Sequence, residues 1–314
     1  MYGIRAKDFC IRNFSLHEAT IFLSKISIAS TLSPVMTTSK QQAYKGKILF
    51  FHGYTQNASL FYAKTSALRK KIMKLGYKCQ YLNAPYVLTP SDLPTTDSLS
   101  KFGSSDQNDV TYRGWWVKLD KTNDGINMDK SIGALKRYIH VGELIPDDEG
   151  EELGKEEDDE ANLPIVGLIG FSQGAAFAGL VAEKFAELFD TTPLKFVILY
   201  SGFKLDTSKR SGNDKYDTYY KPTQDKLRYL HIYGELDTVV SEDRSLSLYN
   251  ITKEKSDLLK HPGGHFVPNS KLYIDQVVNW IQSDDKPKET EKEEKKADDD
   301  IDSLLEMMDN IGKA

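Results

Sequence analysis

Short apolar runs alternate with stretches of helical periodicity through the middle of the chain. The first run, Lys47-Ile48-Leu49-Phe50-Phe51, ends in His52-Gly53-Tyr54. Leu60, Ala63, Leu68, Ile72 and Leu75 then recur at the spacing of one helical face, and Gly76 stops the pattern. Lys78 to Leu82 is a second strand, closed by Asn83-Ala84-Pro85. A polar, irregular stretch runs from Thr89 to Asp109. Val110 to Leu119 is aromatic and reads as extended, and Ser131 to Ile139 reads as a helix. Further strands follow at Ile165-Val166-Gly167-Leu168-Ile169, Phe196 to Gly202 and Leu227 to Tyr233. Between and after them come an Ala-rich helix, a helix at Leu246 to Ile251 and a last helix at Lys271 to Gln282. In that last helix Leu272, Ile274, Val277, Val278 and Ile281 are available to cover a sheet. The alternation predicts an α/β fold with a mostly parallel sheet and helices on both faces.

The two ends and one internal block have a different texture. Residues 1–43 carry Arg5, Lys7, Arg12, Lys25 and Lys40 among many Ser and Thr, with only Asp8 and Glu18 as acids. A mitochondrial targeting segment has this composition, whereas Lys25 interrupts the apolar stretch a secretory signal needs. The favoured expectation is a disordered or mis-assigned extension, with Met36 as the alternative start. Ten of the nineteen residues 145–163 are acidic, which predicts a solvated, disordered loop; its place before a strand suggests the far end of the sheet from any active site. The tail after Asp284 is rich in Lys, Glu and Asp and is expected to be disordered. Within it, Ile301 to Ile311 carries Leu304, Leu305, Met307 and Met308, enough for a short helix that docks on a protein partner. The expected folded body is therefore residues 44–283.

Composition narrows the function classes. The net charge of −5 over 314 residues gives no reason to expect a nucleic-acid partner. No run of eighteen apolar residues is present, so no membrane span is predicted. Cys10 and Cys79 do not make a disulfide framework, and Cys79 falls in a strand as a reduced core thiol. That suits a cytoplasmic protein.

The candidate chemistry starts at Gly170-Phe171-Ser172-Gln173-Gly174, between an apolar strand and the helix that carries Ala175, Ala176, Ala178 and Leu180. A serine on a sharp strand-to-helix turn has an exposed hydroxyl, and glycines on either side prevent collisions with neighbouring elements. A serine hydroxyl needs a base, and in the α/β-hydrolase order the acid and then the histidine follow it. The strand ending at Tyr233 leads into Gly234-Glu235-Leu236-Asp237, and Gly263-Gly264 precede His265 on a later loop. Asp237 is the expected orienting carboxylate, with Glu235 and Asp243 as competitors. His265 is the expected base over His261, His52 and His231; His231 lies inside a strand and His52 reads as structural. His261 and His265 are four apart, but Pro262-Gly263-Gly264 is no helix, so no metal site is expected. The oxyanion donors are expected to be the main-chain N–H groups of Tyr54 and Gln173. Tyr112, Trp115 and Trp116 are candidates for a pocket wall, and the loops at 86–118 and 203–225 are expected to shape that pocket.

Taken together these motifs resemble the FSH family of serine hydrolases, the fungal group that includes the human ovarian-cancer-associated hydrolase. The resemblance runs from about Lys47 to Ile281. It rests on the segment from Lys47 to Asn57, on Asn83-Ala84-Pro85, Arg113-Gly114-Trp115-Trp116, Gly170 to Ala176, Tyr233 to Asp237, and His261 to His265. It implies a single α/β-hydrolase domain with no metal or organic cofactor. It also implies a carboxylic-ester hydrolase or thioesterase with Ser172, Asp237 and His265 as its triad. Two other readings compete with it. One is an interaction protein on a hydrolase fold, acting through its acidic loop and tail. The other is a peptidase, which in this fold often carries an additional cap domain.

Overall fold

The computed structural model describes residues 44–89, 92, 111–118, 125–146 and 162–283. The extension at 1–43, the tail with Ile301–Ile311 and most of the acidic block lie outside the described residues.

Six strands form one parallel sheet in the order β2-β1-β5-β6-β7-β8. They are β1 (Gly46–Phe51), β2 (Tyr77–Leu82), β5 (Ile165–Phe171), β6 (Phe196–Tyr200), β7 (Arg228–Gly234) and β8 (Ser256–His261). Every residue of β1, β5 and β6 is buried, as expected for parallel strands covered on both faces. Two two-residue strands, β3 (Tyr86–Val87) and β4 (Arg113–Gly114), pair antiparallel beside the sheet. Among the described residues 111–118 of the segment expected to be extended, Arg113–Gly114 is strand and Lys118 forms an isolated bridge with Ile126.

Alternate side chains divide into two cores. Leu49, Phe51, Leu168, Val197 and Leu199 pack against α3 (Asp129–Val141), α4 (Gln173–Ala182) and α5 (Phe185–Phe189), with Leu248 of α6 (Glu242–Thr252). On the opposite face, Ile48, Phe50, Ile169, Ile198 and Ile232 meet α1 (Ala58–Lys64), α2 (Ser66–Lys74) and α7 (Lys271–Gln282). All ten residues of α4 are buried, which explains its run of Ala and Gly. The last helix has the bounds its periodicity predicts.

Two expectations are revised. The helix anticipated across Leu60–Leu75 is two helices, divided at Thr65. That hydroxyl donates to the Phe61 carbonyl (2.7 Å) and meets the Tyr81 hydroxyl (2.6 Å), so a side chain competes with the helical ladder at the break. The acidic block does not begin at the far end of the sheet. Asn83, just past the carboxyl end of β2, and Arg113 of β4 donate to the carbonyls of Ile145 and Pro146 at 3.0 and 3.4 Å. The chain that follows it is at the far side, where the Pro164 carbonyl accepts from Lys47 N–H (2.8 Å) at the start of the sheet. After α3 the chain turns back at Gly142, whose φ of 69° suits glycine, so the two ends of the block are on opposite sides of the sheet.

The sheet order reverses between β1 and β5, since β2 lies outside β1 and all later strands lie beyond β5. Loops leaving neighbouring strands diverge at such a point and open a crevice at the carboxyl ends. His52–Asn57 leaves β1 there, and Ser172 leaves β5.

Candidate active site

Ser172 joins β5 to α4 with φ 53° and ψ −118°. Holding a non-glycine residue there costs on the order of 1–3 kcal/mol and persists only where the surroundings impose it. The surroundings are tight. A Cβ on Gly174 would stand 2.3 Å from the carbonyl oxygens of both Phe51 and His52, and one on Gly170 would stand 2.5 Å from Ala175 Cα. Gly174→Ala is therefore expected to push α4 off β1, lowering the melting temperature and the reactivity of Ser172 together. Unchanged melting and labelling would refute this close-approach account.

Ser172 Oγ is 2.9 Å from His265 Nε2, and His265 Nδ1 is 2.7 Å from Asp237 Oδ2. An ionised carboxylate only accepts, so Nδ1 carries the hydrogen and Nε2 is left to accept from the Ser172 hydroxyl. Asp237 is fully engaged. Oδ2 also accepts from Ser201 Oγ (2.8 Å), and Oδ1 accepts from the N–H groups of Val239 and Val240 (2.9 Å each). Burial by itself raises the Asp237 pKa. The His265 hydrogen bond and charge, with the Val240 N–H and the Ser201 hydroxyl, outweigh it and leave the carboxyl below its ordinary value. The Phe171 ring lies 4.8 Å from the His265 ring and supports it from below.

The three residues singled out by chain order are thus brought into one hydrogen-bonded line from three different strand ends. The competitors are elsewhere. Glu235 is exposed, Glu242 rather than Asp243 contacts Tyr233, and His261 bonds its own turn at Gly263 N–H (3.2 Å). His52 is enclosed beneath the crevice; Nδ1 donates to the Gly53 carbonyl (2.7 Å) and Nε2 accepts from Ala84 N–H (3.0 Å). His231 faces Thr252 in the core at 3.1 Å.

Those two buried histidines carry a pH prediction. Burial lowers the His52 pKa from 6.5 to about 4 and that of His231 to about 3. Between pH 6.5 and about 4 the unfolded chain binds protons at both sites and the folded chain does not. Stability therefore falls as the pH falls through that window, by about 2 kcal/mol per histidine between pH 7 and 5. Urea midpoints at the two pH values measure it; equal midpoints would show that neither histidine is held neutral by folding.

Gln173 opens α4, so its N–H has no acceptor within the helix and points from the positive end of the helix dipole. Its side chain ties down the neighbouring loop. Oε1 accepts from Trp115 N–H (2.7 Å) and Nε2 donates to the Trp116 carbonyl (3.0 Å). Gly53 brings the first loop against the serine, since a Cβ there would stand 3.5 Å from Ser172 Cβ. Tyr54 follows it on the same wall.

A cavity of about 1050 Å³ opens from Ser172, Gln173 and Tyr54. Trp116, Ile126, Phe203 and Leu205 supply apolar wall, with Val239 and Val240 behind Asp237. Of the three aromatics proposed from sequence, only Trp116 lines this cavity. Trp115 is core: its ring stacks on Phe177 at 4.9 Å and its Nε1–H donates to the His52 carbonyl (2.9 Å). Tyr112 is buried away from it. Sequence reasoning missed Ser201 and the clamping side chain of Gln173. Ser201 follows β6 at a positive φ of 48°, and its place beside the acid-bearing strand was the available signal.

The parallel sheet and the serine on its strand-to-helix turn define an α/β-hydrolase. More narrowly, the chain belongs to the family described as serine hydrolase (FSH1), whose family model matches residues 40–277. It is 33% identical over 293 residues to "Family of serine hydrolases 3" of Saccharomyces cerevisiae, covering 86% of this chain and 98% of that one. It is 30% identical to "Esterase OVCA2" of Danio rerio over 240 residues, 75% of this chain and 96% of that one. Among solved structures, esterase PE8 is similar at 19% identity and a TM-score of 0.49, over 77% of this chain and 93% of that one. Among the described residues no helix is long and apolar enough to cross a membrane.

Proposed function

We propose that this hydrolase cleaves carboxylic esters or thioesters through an acyl-enzyme on Ser172. The observation that carries the proposal is the unbroken Ser172–His265–Asp237 hydrogen-bonded line, whose Ser172 lines the 1050 Å³ cavity. Ser172 Oγ attacks the acyl carbon while its proton passes to His265 Nε2. Asp237 holds the ring in the required tautomer and stabilises the imidazolium without taking the proton. The oxyanion is met by the N–H groups of Tyr54 and Gln173; one such donor is commonly worth about 10²–10³ in rate. His265 then returns its proton to the departing oxygen or sulfur. Water, activated by the same imidazole, releases the acid and restores Ser172.

The test is labelling by a fluorophosphonate, together with hydrolysis of p-nitrophenyl esters and acyl thioesters of graded chain length. Labelling at Ser172 and an optimum in chain length are expected. An enzyme that neither labels nor turns over any of these would sink the proposal.

A further inference from the structure

The Ser172–His265 pair sits between two cavities. Ser172, Gln173 and Tyr54 line the larger one; His265 lines a second, of about 600 Å³, between its own loop and the α1–α2 corner. This division matches the two halves of an acyl substrate. The carbonyl carbon stays on Ser172 and its oxygen stays with the main-chain donors, so the acyl chain belongs with them. The departing atom must reach the imidazole that protonates it, so it belongs on the His265 side.

The chemistry of the second cavity is distinctive. Phe61, Phe266 and Val267 give it an apolar wall, and Phe266 is half exposed at its edge. Among the described residues that line it, Lys64, the last residue of α1, is the one Lys, Arg, Asp or Glu. Among the described residues Lys64 has no carboxylate partner, unlike Lys71 and Lys271, which both bond Asp275. Lys64 is exposed to solvent at the rim, while the neighbouring protein lowers the pKa of its ammonium by desolvation, so an anion placed there meets a cation that is accessible from solvent. The larger cavity is mixed in charge: Asp206 lines it together with Lys118, Lys204 and Arg244, with Lys204 3.9 Å from Asp217 and the Arg244 guanidinium over the Phe203 ring at 4.2 Å.

We propose that the cavity beside His265 is the leaving-group subsite, and that it accepts an alcohol or thiol carrying an anionic group, carboxylate or phosphate, which Lys64 binds. The inference rests on the acyl-enzyme reading above. In the step concerned, the acyl C–O or C–S bond breaks and its electron pair leaves with the oxygen or sulfur. That atom takes the proton from His265 Nε2, and the anion on Lys64 is unchanged throughout. Lys64 acts on specificity, by holding the leaving group where the imidazole can reach it.

Two matched substrate pairs with one acyl chain test this. The carboxylate arm compares decanoyl thioesters of 3-mercaptopropionate and of 3-mercaptopropionamide, which are nearly the same size and differ in charge. The phosphate arm compares decanoylglycerol with decanoylglycerol phosphate. In the wild type, kcat/KM is expected to favour the anionic member of at least one pair by about five- to tenfold at low salt, the size of one partly exposed charge-assisted contact. The arm that shows the preference identifies the anion. Lys64→Gln should erase the preference and Lys64→Arg should restore part of it. The ratio is read within each enzyme, so a general loss of activity cancels. No preference in either arm, or one that survives Lys64→Gln, overturns the subsite. An enzyme that fluorophosphonate does not label at Ser172 overturns the acyl-enzyme reading instead, so the two failures are distinguishable.

Discussion

Ser172→Ala is expected to lower kcat by about 10⁴-fold or more while the protein stays folded. The hydroxyl is the atom that attacks, and no neighbouring side chain stands in its place on the His265 Nε2 (2.9 Å). Ser172 Oγ makes no contact that the core depends on; the turn itself is held by Ser172 N–H donating to the Tyr200 carbonyl (2.8 Å) and by the close approach of Gly174 to β1. Alanine keeps that main-chain bond and is subject to the same positive φ. The melting temperature should therefore move little while fluorophosphonate labelling disappears. A variant that still turns over ester at a substantial fraction of the wild-type rate would move the nucleophile elsewhere.

The second large effect is expected from Asp237→Asn, and its cause is the tautomer. Val239 and Val240 N–H both donate to Oδ1, so an asparagine here must place its carbonyl oxygen on that side. Its NH₂ group then occupies the site of Oδ2, facing Ser201 Oγ and His265 Nδ1. A donor at that point requires Nδ1 to accept, which puts the ring hydrogen on Nε2. The imidazole then has no lone pair for the Ser172 proton. A loss of roughly 10⁴-fold in kcat is expected, with KM changed far less. Ser201 can reverse its hydroxyl to accept from the NH₂, so the variant should fold. If kcat fell less than about tenfold, the carboxylate would not be setting the tautomer.

The strands and the order of the chemistry were legible in the sequence because both are written locally. A fully buried parallel strand must be apolar at nearly every position, and β1, β5 and β6 are. The turn at Ser172 demands small residues on each side, and Gly170 and Gly174 stand there. Four of the five apolar residues expected to cover the sheet from α7, Ile274, Val277, Val278 and Ile281, do so, whereas Leu272, in the first turn, is exposed. The helix break at Thr65 was not legible. At the break the Thr65 hydroxyl meets the Tyr81 hydroxyl on a neighbouring strand, sixteen residues away, a contact that no periodicity records.

The sequence by itself determined the fold class, the serine on its turn, and the order of acid and histidine after it. Short-range sterics and burial dictate those residue types wherever such a turn and such strands occur. Only the tertiary structure decided which of several carboxylates and histidines meet. That choice depends on strand order, which aligns the ends of β5, β7 and β8, and on the loop that carries His265 back to Ser172. It also decided that Trp115 points into the core while Trp116 lines the cavity. Both lie in an irregular segment without a repeating phase, and the Gln173 side chain, 58 residues on for Trp115, fixes which way each faces.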